Sequence, residues 1–568
     1  MRFIRAQYPC LIILAAYALC VLAANPSGEF PLNDDWSYAR SAFAFGSGHG
    51  FKVDEWAAPS LLGQVFYGGL LTRFFSPSFL VLRLSTLVLS GCTALLLWGI
   101  FRRMPIRRDL ACILLLAWIF NPLQFSLSFT FLTEIPFLFF VALATYWFVR
   151  YLHKPASGFL MLSAAALGYA FTIRQTALFF FLALLGGVLA DARTRFLQRV
   201  RRILLPAVAF GIFVAGYFLW VETRGGSTAA IDRKYDLLHH IQRKQLIGNT
   251  YGMLFYLVFM SLPVWLLLIP SFYRRLRDFR GKARIGILAA WILLVAAGLC
   301  WFPRIYGHAE FLPATPYHSR MPYLINVLYD TGLGPITLDP DYFRPVPTPA
   351  YPGVWIAVTA LVAAGALLCG ASGTIGLIRL RKFPLPLEQR PLCVFAGLVL
   401  LSLIPFEIVF SNLQEGGLFD RHVLIVALPF YLLLGLFSLG ETEKAAARAP
   451  GIPAVLTSGI AVLAFGVFCV AATHDYLEWN RIRWEMGRGL LARGIDPLSI
   501  AGGFEFDAWH NYDTFLARGN IAKVKNWWYD ARDYGISMIR QADCRVLETR
   551  EYFSWVHRRK IPLYLLGK

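Results

Sequence analysis

Two adjacent carboxylates, Asp34 and Asp35, stand in Pro31-Leu32-Asn33-Asp34-Asp35-Trp36-Ser37-Tyr38, just past the first long apolar segment. Only 34 of 568 residues are Asp or Glu, so an acidic pair beside hydrocarbon is a chemical resource. A carboxylate there can take a proton from a hydroxyl or hold a divalent cation. It can also simply cap the helix that Trp36-Ser37-Tyr38-Ala39 would begin. A third acid, Glu134, occupies Thr133-Glu134-Ile135-Pro136 at the mouth of a later apolar run. The helix dipole favours a carboxylate at that position, with Thr133 as its cap; alternatively Glu134 faces the same cavity as Asp34. Asp34, Asp35 and Glu134 are thus the candidate catalytic acids. Two arginines complete the set, Arg174 in Thr172-Ile173-Arg174-Gln175 and Arg421 in Phe419-Asp420-Arg421-His422. A guanidinium at a span end either grips a phosphate through paired hydrogen bonds or snorkels to lipid headgroups.

These residues need elements to hold them, and composition says which kind. The chain is 57% hydrophobic and 15% charged, against about 25% charged for an ordinary soluble domain. Apolar runs of about 18–22 residues recur, long enough to cross a bilayer. The expected architecture is an all-α polytopic membrane protein of about 13 spans: 8–24, 79–101, 109–125, 131–150, 158–173, 176–190, 203–221, 251–271, 284–302, 352–379, 391–411, 422–440 and 452–473. Arg2 and Arg5 ahead of the first run have the look of a signal peptide, but Ala23-Ala24 is a weak cleavage site with Pro26 behind it, and a retained first span is expected. The net charge of +20 sits in short loops between alternate spans, such as Arg102 to Arg108, Arg193 to Arg202, Arg274 to Arg284 and Arg379 to Arg390. That is the positive-inside pattern, not a nucleic-acid footprint. It puts the N-terminus in the cytoplasm and places Asp34, Glu134, Arg174 and Arg421 on the outer face. The nine cysteines show no CxxC and no His/Cys cluster, so no zinc or disulfide framework is supported.

The outer loops differ in character. Between the first two spans, Pro59–Phe75 is apolar, aromatic and too short to cross; it reads as an interfacial helix on the outer leaflet. Two longer loops, 222–250 and 303–351, are polar or proline-rich and suit substrate capture. His239 and His240 in the first of them could join an acid of the first loop around a metal, and a plain solvated loop also accounts for them. After His474 the composition becomes mixed and aromatic. Residues 1–473 form the expected membrane domain, and 474–568 a small α/β extracytoplasmic domain. In that tail Gly502–Asp507 and Trp509–Tyr512 read as strand then turn. Its Asp/His/Asn cluster lacks a placed nucleophile for hydrolysis.

Five stretches, in this order and on this side, resemble the lipid-linked glycosyltransferases of the GT-C class: NDDWSYA; APSLLGQVFYGGLLTRFFSPSFLVLRLSTLVLS; FTFLTEIPFLFF; GYAFTIRQTALFFFLALLGG; and DRHVLIVALPFYLLLG. The nearer likeness is to the bacterial protein-mannosyltransferase-like group, which includes aminoarabinose and galacturonic acid transferases. The chain departs from that group in having Asp-Asp where many members have Asp-Glu, and in lacking Lys-Pro-Pro in the first loop. The resemblance implies a sugar donor carried on a polyprenyl phosphate, embedded among membrane lipids, and an acceptor (glycolipid, glycan or protein) on the outer face of the inner membrane. Carried over by motif, it implies Asp34 as the base, with Asp35 second, and Glu134 as the acid of the Thr-Glu motif. Arg421 then faces the donor phosphate, and Glu55 stands where the family places an acid on a divalent metal ion. A single inverting displacement follows. The competing class is a transporter or flippase of lipid-linked sugars, which would place ionisable residues or broken helices near mid-membrane.

Overall fold

The structure, a computed structural model, describes residues 2–57, 61–223, 243–279, 281–306, 320–338, 351–380, 386–411, 417–437, 451–519 and 528–568. His239 and His240 lie outside them. The chain begins with α1 (Arg2–Ala24), then two helices in the first loop, α2 (Asp35–Gly46) and α3 (Leu62–Phe75). The bundle continues with α4 (Phe79–Phe101), α5 (Arg108–Ile119), α6 (Pro122–Leu127), α7 (Glu134–His153), α8 (Ser157–Phe171), α9 (Ala177–Leu189) and α10 (Phe196–Thr223). Next come α11 (Arg243–Met260), α12 (Leu262–Asp278) and α13 (Lys282–Tyr306), then a small hairpin of β1 (Leu328–Tyr329) and β2 (Gly332–Leu333). The bundle closes with α14 (Pro352–Leu380), α15 (Arg390–Phe410), α16 (Asp420–Phe437) and α17 (Ile452–Ala492). The fold is therefore the helical, multi-pass membrane architecture expected.

Among the described residues, seven helices are long and apolar enough to cross a membrane, or eight if one bent pair counts as a span. Thirteen were expected, and each expected span does fall on helix. The difference lies in elements that break or stop early. The span expected at 109–125 is split into α5 and α6 by Asn121-Pro122, with the Asn121 side chain accepting from the Leu123 N–H to start the second helix. The one expected at 251–271 bends by 86° between α11 and α12. Pro263 sits in the first turn of α12, where its missing N–H costs nothing. Two carbonyls at the bend are taken up by side chains: Tyr431 Oη donates to the Met260 carbonyl at 2.6 Å and Trp265 Nε1 to the Val258 carbonyl at 3.2 Å. Backbone irregularity inside a membrane protein survives where neighbours resupply the lost hydrogen bonds in this way.

Within the first loop, α2 and α3 pack closely because glycines face the neighbouring rings. A Cβ on Gly69 would meet the Phe45 ring at 2.2 Å, and one on Gly68 would meet Phe131 at 2.5 Å. Phe66, Leu70, Phe74 and Phe75 of α3 remain exposed on its other side, as an interfacial helix requires.

The 41-residue α17 runs unbroken from the bundle into the tail. There β3 (Ile500–Ala501), α18 (Phe504–Ala517), β4 (Tyr534–Ser537), β5 (Arg545–Ser554) and β6 (Arg559–Gly567) follow. The sheet order is β3-β4-β6-β5, with β3 parallel to β4 and the other pairs antiparallel. The stretch read as strand and turn at 502–512 is instead the start of α18. Its alternation of aromatic and acidic residues misleads because both sides are covered: Phe504, Glu505, Phe506, Asp507 and Ala508 are all buried. The polar residues there are spent on structure. Asp507 accepts from the Gly502 N–H, and Asn511 donates to the Pro497 and Trp528 carbonyls.

Candidate active site

The first loop is nailed to the bundle before any acid is placed. Arg83, buried in α4, donates to the Pro26, Gly28 and Phe30 carbonyls on one side and to the Phe129 carbonyl on the other. Asp35 makes a second tie. Its carboxylate accepts from the Leu32 N–H at 2.6 Å and from the Phe131 N–H at 3.0 Å. Burial pushes the Asp35 carboxyl up to about 7, against the pull of those two N–H groups and of Arg83. Both oxygens of Asp35 are thus committed to backbone that joins the first loop to the mouth of α7.

Its neighbour is placed differently. Asp34 occupies the N-cap position of α2, yet its side chain makes no capping hydrogen bond. One carboxylate oxygen accepts from Trp56 Nε1 at 3.2 Å, and the other from Arg421 Nη2 at 3.1 Å. Arg421 Nε lies 3.8 Å from Glu134 Oε1, and the same oxygen accepts from Arg174 Nη1 at 2.7 Å. Four residues scattered across the sequence therefore form one alternating chain, Asp34–Arg421–Glu134–Arg174. Arg174 also donates to Thr133 Oγ1, which is not capping α7. Arg421 is aimed by the residue before it. Asp420 accepts from the Val327, Leu328 and Arg421 N–H groups, locking the first turn of α16 to the segment leading into β1.

The chain of charges has valence to spare. Glu134 Oε2 and Arg421 Nε are buried without a hydrogen-bond partner. Asp34 and Arg174 keep 20% and 19% of their side chains accessible, whereas Glu134 keeps 3%. A reactant can thus approach Asp34 and the guanidinium edges while the acid that links them stays dry. An unsatisfied carboxylate oxygen beside two guanidinium groups suits an arrangement that closes around a polar substrate.

Sequence reasoning missed Tyr38 and Trp56. Tyr38 lies one helical turn beyond Asp34 and feels all four members of the chain. Burial pushes its phenol well above the usual range, the Asp34 carboxylate adds to this, and Arg421 partly offsets it. The i, i+4 spacing from Asp34 was the available signal. Trp56, the donor to Asp34, is held in a cluster of Trp36, Phe504, Tyr512 and Trp528. Glu55 lies near Asp54 and near Tyr512 of α18. Among the described residues no group of three or more His, Cys, Asp or Glu side chains gathers that could hold a metal ion.

Residues 65–220 match the family model described as dolichyl-phosphate-mannose-protein mannosyltransferase. That match bears out the GT-C resemblance. It spans α3 to α10 and so contains Glu134 and Arg174 but neither Asp34 nor Arg421. No curated protein matches the chain. Among solved structures, ArnT from Cupriavidus metallidurans bound to undecaprenyl phosphate is 12% identical, covers 98% of each chain and has a TM-score of 0.43. Its apo form is 14% identical over 76% of this chain and 77% of that one, with a TM-score of 0.36. The arabinosyltransferase EmbB from Mycobacterium smegmatis is 15% identical, covers 84% of this chain and 42% of its own, and has a TM-score of 0.34.

Proposed function

We propose that this protein is a glycosyltransferase that moves a sugar from a polyprenyl-phosphate donor to an acceptor hydroxyl, with inversion, at the extracytoplasmic face of the inner membrane. The observation that carries the reading is the chain Asp34–Arg421–Glu134–Arg174, gathered where several bundle helices begin. Asp34 takes the proton from the acceptor O–H as the acceptor oxygen bonds to the anomeric carbon. The bond from that carbon to the phosphate oxygen breaks, and its electron pair leaves with the polyprenyl phosphate. Arg421 and Arg174 stabilise the departing charge, and Glu134 keeps the two guanidinium groups in place. Phosphate is already a competent leaving group, so positioning and charge neutralisation do most of the work. A divalent cation on Glu55 with His239 or His240 is a separate proposal, read out as loss of transfer on chelation and its return with added metal. No step above depends on it.

The bent pair α11–α12 favours a transporter or flippase, since broken helices line many transport sites. At this bend, however, Tyr431 and Trp265 already occupy the Met260 and Val258 carbonyls. The charged groups lie at helix ends instead. The test is direct. Purified protein in lipid is incubated with a panel of radiolabelled polyprenyl-phosphate sugars and a membrane extract. Label should move to a new product with wild type and not with Asp34→Asn. Label moving across sealed vesicles without transfer would replace the enzyme reading with the transporter one.

A further inference from the structure

The residue immediately before Asp34 is held by the far end of the chain. Gly503, with φ of +96°, turns the backbone into α18, and the Glu505 side chain then points back to the first loop. Glu505 Oε1 accepts from the Asn33 N–H at 2.7 Å. Its other oxygen accepts from Thr337 Oγ1 at 2.6 Å and from Arg483 Nη1 at 2.8 Å. The side chains of Glu505 and Arg483 are both 0% accessible. Asn33 itself has φ of +56°, a left-handed conformation that Asn tolerates and a β-branched residue resists. The same α18 reaches Asp34 by a second route. Phe504 and Tyr512 pack on Trp56, whose ring nitrogen donates to the Asp34 carboxylate.

A buried Glu–Arg pair is a poor way to gain stability, because desolvating both charges offsets most of their attraction. Arg483 moreover leaves Nε and Nη2 buried without hydrogen-bond partners. What the pair does provide is a fixed acceptor for one backbone N–H, next to the residue whose angle matters most. We infer that Arg483 and Glu505 form a positioning unit for Asp34: the pair sets Asn33 through its N–H and thereby aims the Asp34 carboxylate, without touching the reactants. The inference rests on the reading of Asp34 as the base.

The experiment compares two double variants that both remove the charge pair. Glu505→Gln with Arg483→Met keeps a carbonyl acceptor for the Asn33 N–H; Glu505→Leu with Arg483→Met does not. Turnover and donor KM are measured for each, with melting in detergent as the check on folding. The Gln variant should stay within about 3-fold of wild-type kcat, while the Leu variant should lose roughly 30- to 100-fold in kcat at unchanged donor KM, as expected for a reacting group displaced by a fraction of an ångström or more. Equal kcat in the two overturns the inference. A second pair does not disturb the tail at all. Asn33→Gly keeps the N–H and the left-handed backbone and should retain most of its turnover, whereas Asn33→Val should fall as the Leu variant does; equal turnover again overturns it. Asp34→Asn is assayed alongside. If it transfers sugar at the wild-type rate, the reading of Asp34 fails and takes the inference with it. If it is inactive while the paired variants do not differ, the positioning role alone fails.

Discussion

The protein holds two clusters built from the same chemistry, carboxylates against guanidinium groups, and uses them in opposite ways. At the mouth of the bundle, Asp34, Arg421, Glu134 and Arg174 alternate, Asp34 and Arg174 are open to solvent, and one oxygen of Glu134 is unspent. In the tail, Arg483 and Glu505 are sealed from solvent, and both oxygens of Glu505 accept hydrogen bonds. Exposure separates a cluster that can engage a substrate from one that can only hold structure, since Arg483 too has unspent N–H groups but no access to solvent. Net charge or residue type could not have told them apart.

The sharpest way to break this contrast is at its open end. Replacing Asp34 by Asn keeps the shape and an acceptor for the Trp56 N–H but removes the proposed base; transfer should fall about 10³-fold, within the range expected of a general base. Melting in detergent should move little, because Asp34 is partly exposed and Glu134 still faces the buried Arg421 once the charge at position 34 is gone. A large drop in stability would mean that the mouth cluster is structural after all.

The closed end should give the reverse result. Arg483→Met alone strands the Glu505 charge in a dry interior, and removing one partner of a buried pair costs roughly 3–5 kcal/mol. Unfolding in detergent with increasing denaturant would measure it, and adding Glu505→Gln should restore most of the loss. An Arg483→Met variant as stable as wild type would contradict the buried pairing. Between these extremes stands Arg421→Lys. It keeps the charge but cannot span Asp34 and Glu134 with a planar fork, so kcat should drop on the order of 10- to 100-fold with little change in stability. Steady-state kinetics set beside a melting curve would decide this, and full activity would show that a point charge suffices.

Much of this was legible before any geometry. The apolar runs announced the helices, since continuous runs of about 20 apolar residues suit a spanning helix and not the shorter, alternating strands of a barrel. Asp34, Glu134, Arg174 and Arg421 stood out because ionisable residues at span ends are rare in so apolar a chain. The broken span at Ser261 was not legible, because its compensation comes from Tyr431, far away in sequence. Nor was α18, whose aromatic–acidic alternation has the period of a strand while both its faces are covered. The tail's hold on the first loop was hidden for the same reason: Glu505 meets Asn33 across 472 positions, and no local pattern carries such a pairing.

As adjacent aspartates Asp34 and Asp35 were ranked only by the family resemblance, which put Asp34 first, and the smallest predicted effect separates them by physics. Asp35 is buried with its carboxyl pushed up to about 7 by desolvation. The folded protein therefore keeps this proton up to near neutral pH, while the unfolded chain releases it at about pH 4. The resulting stability is fully present below about pH 4 and is lost as pH rises through about 7, because the folded state must then either hold a buried charge or open. Asp35→Asn carries no such proton. The melting temperature of wild type minus that of Asp35→Asn should thus fall steadily from pH 4 to pH 7.5. Transfer at a fixed pH should change far less in Asp35→Asn than in Asp34→Asn, since the Asp35 oxygens face the Leu32 and Phe131 N–H groups rather than the guanidinium edge. A difference in melting that stays flat with pH would show that Asp35 is ionised in the folded protein and that its two backbone hydrogen bonds outweigh its burial.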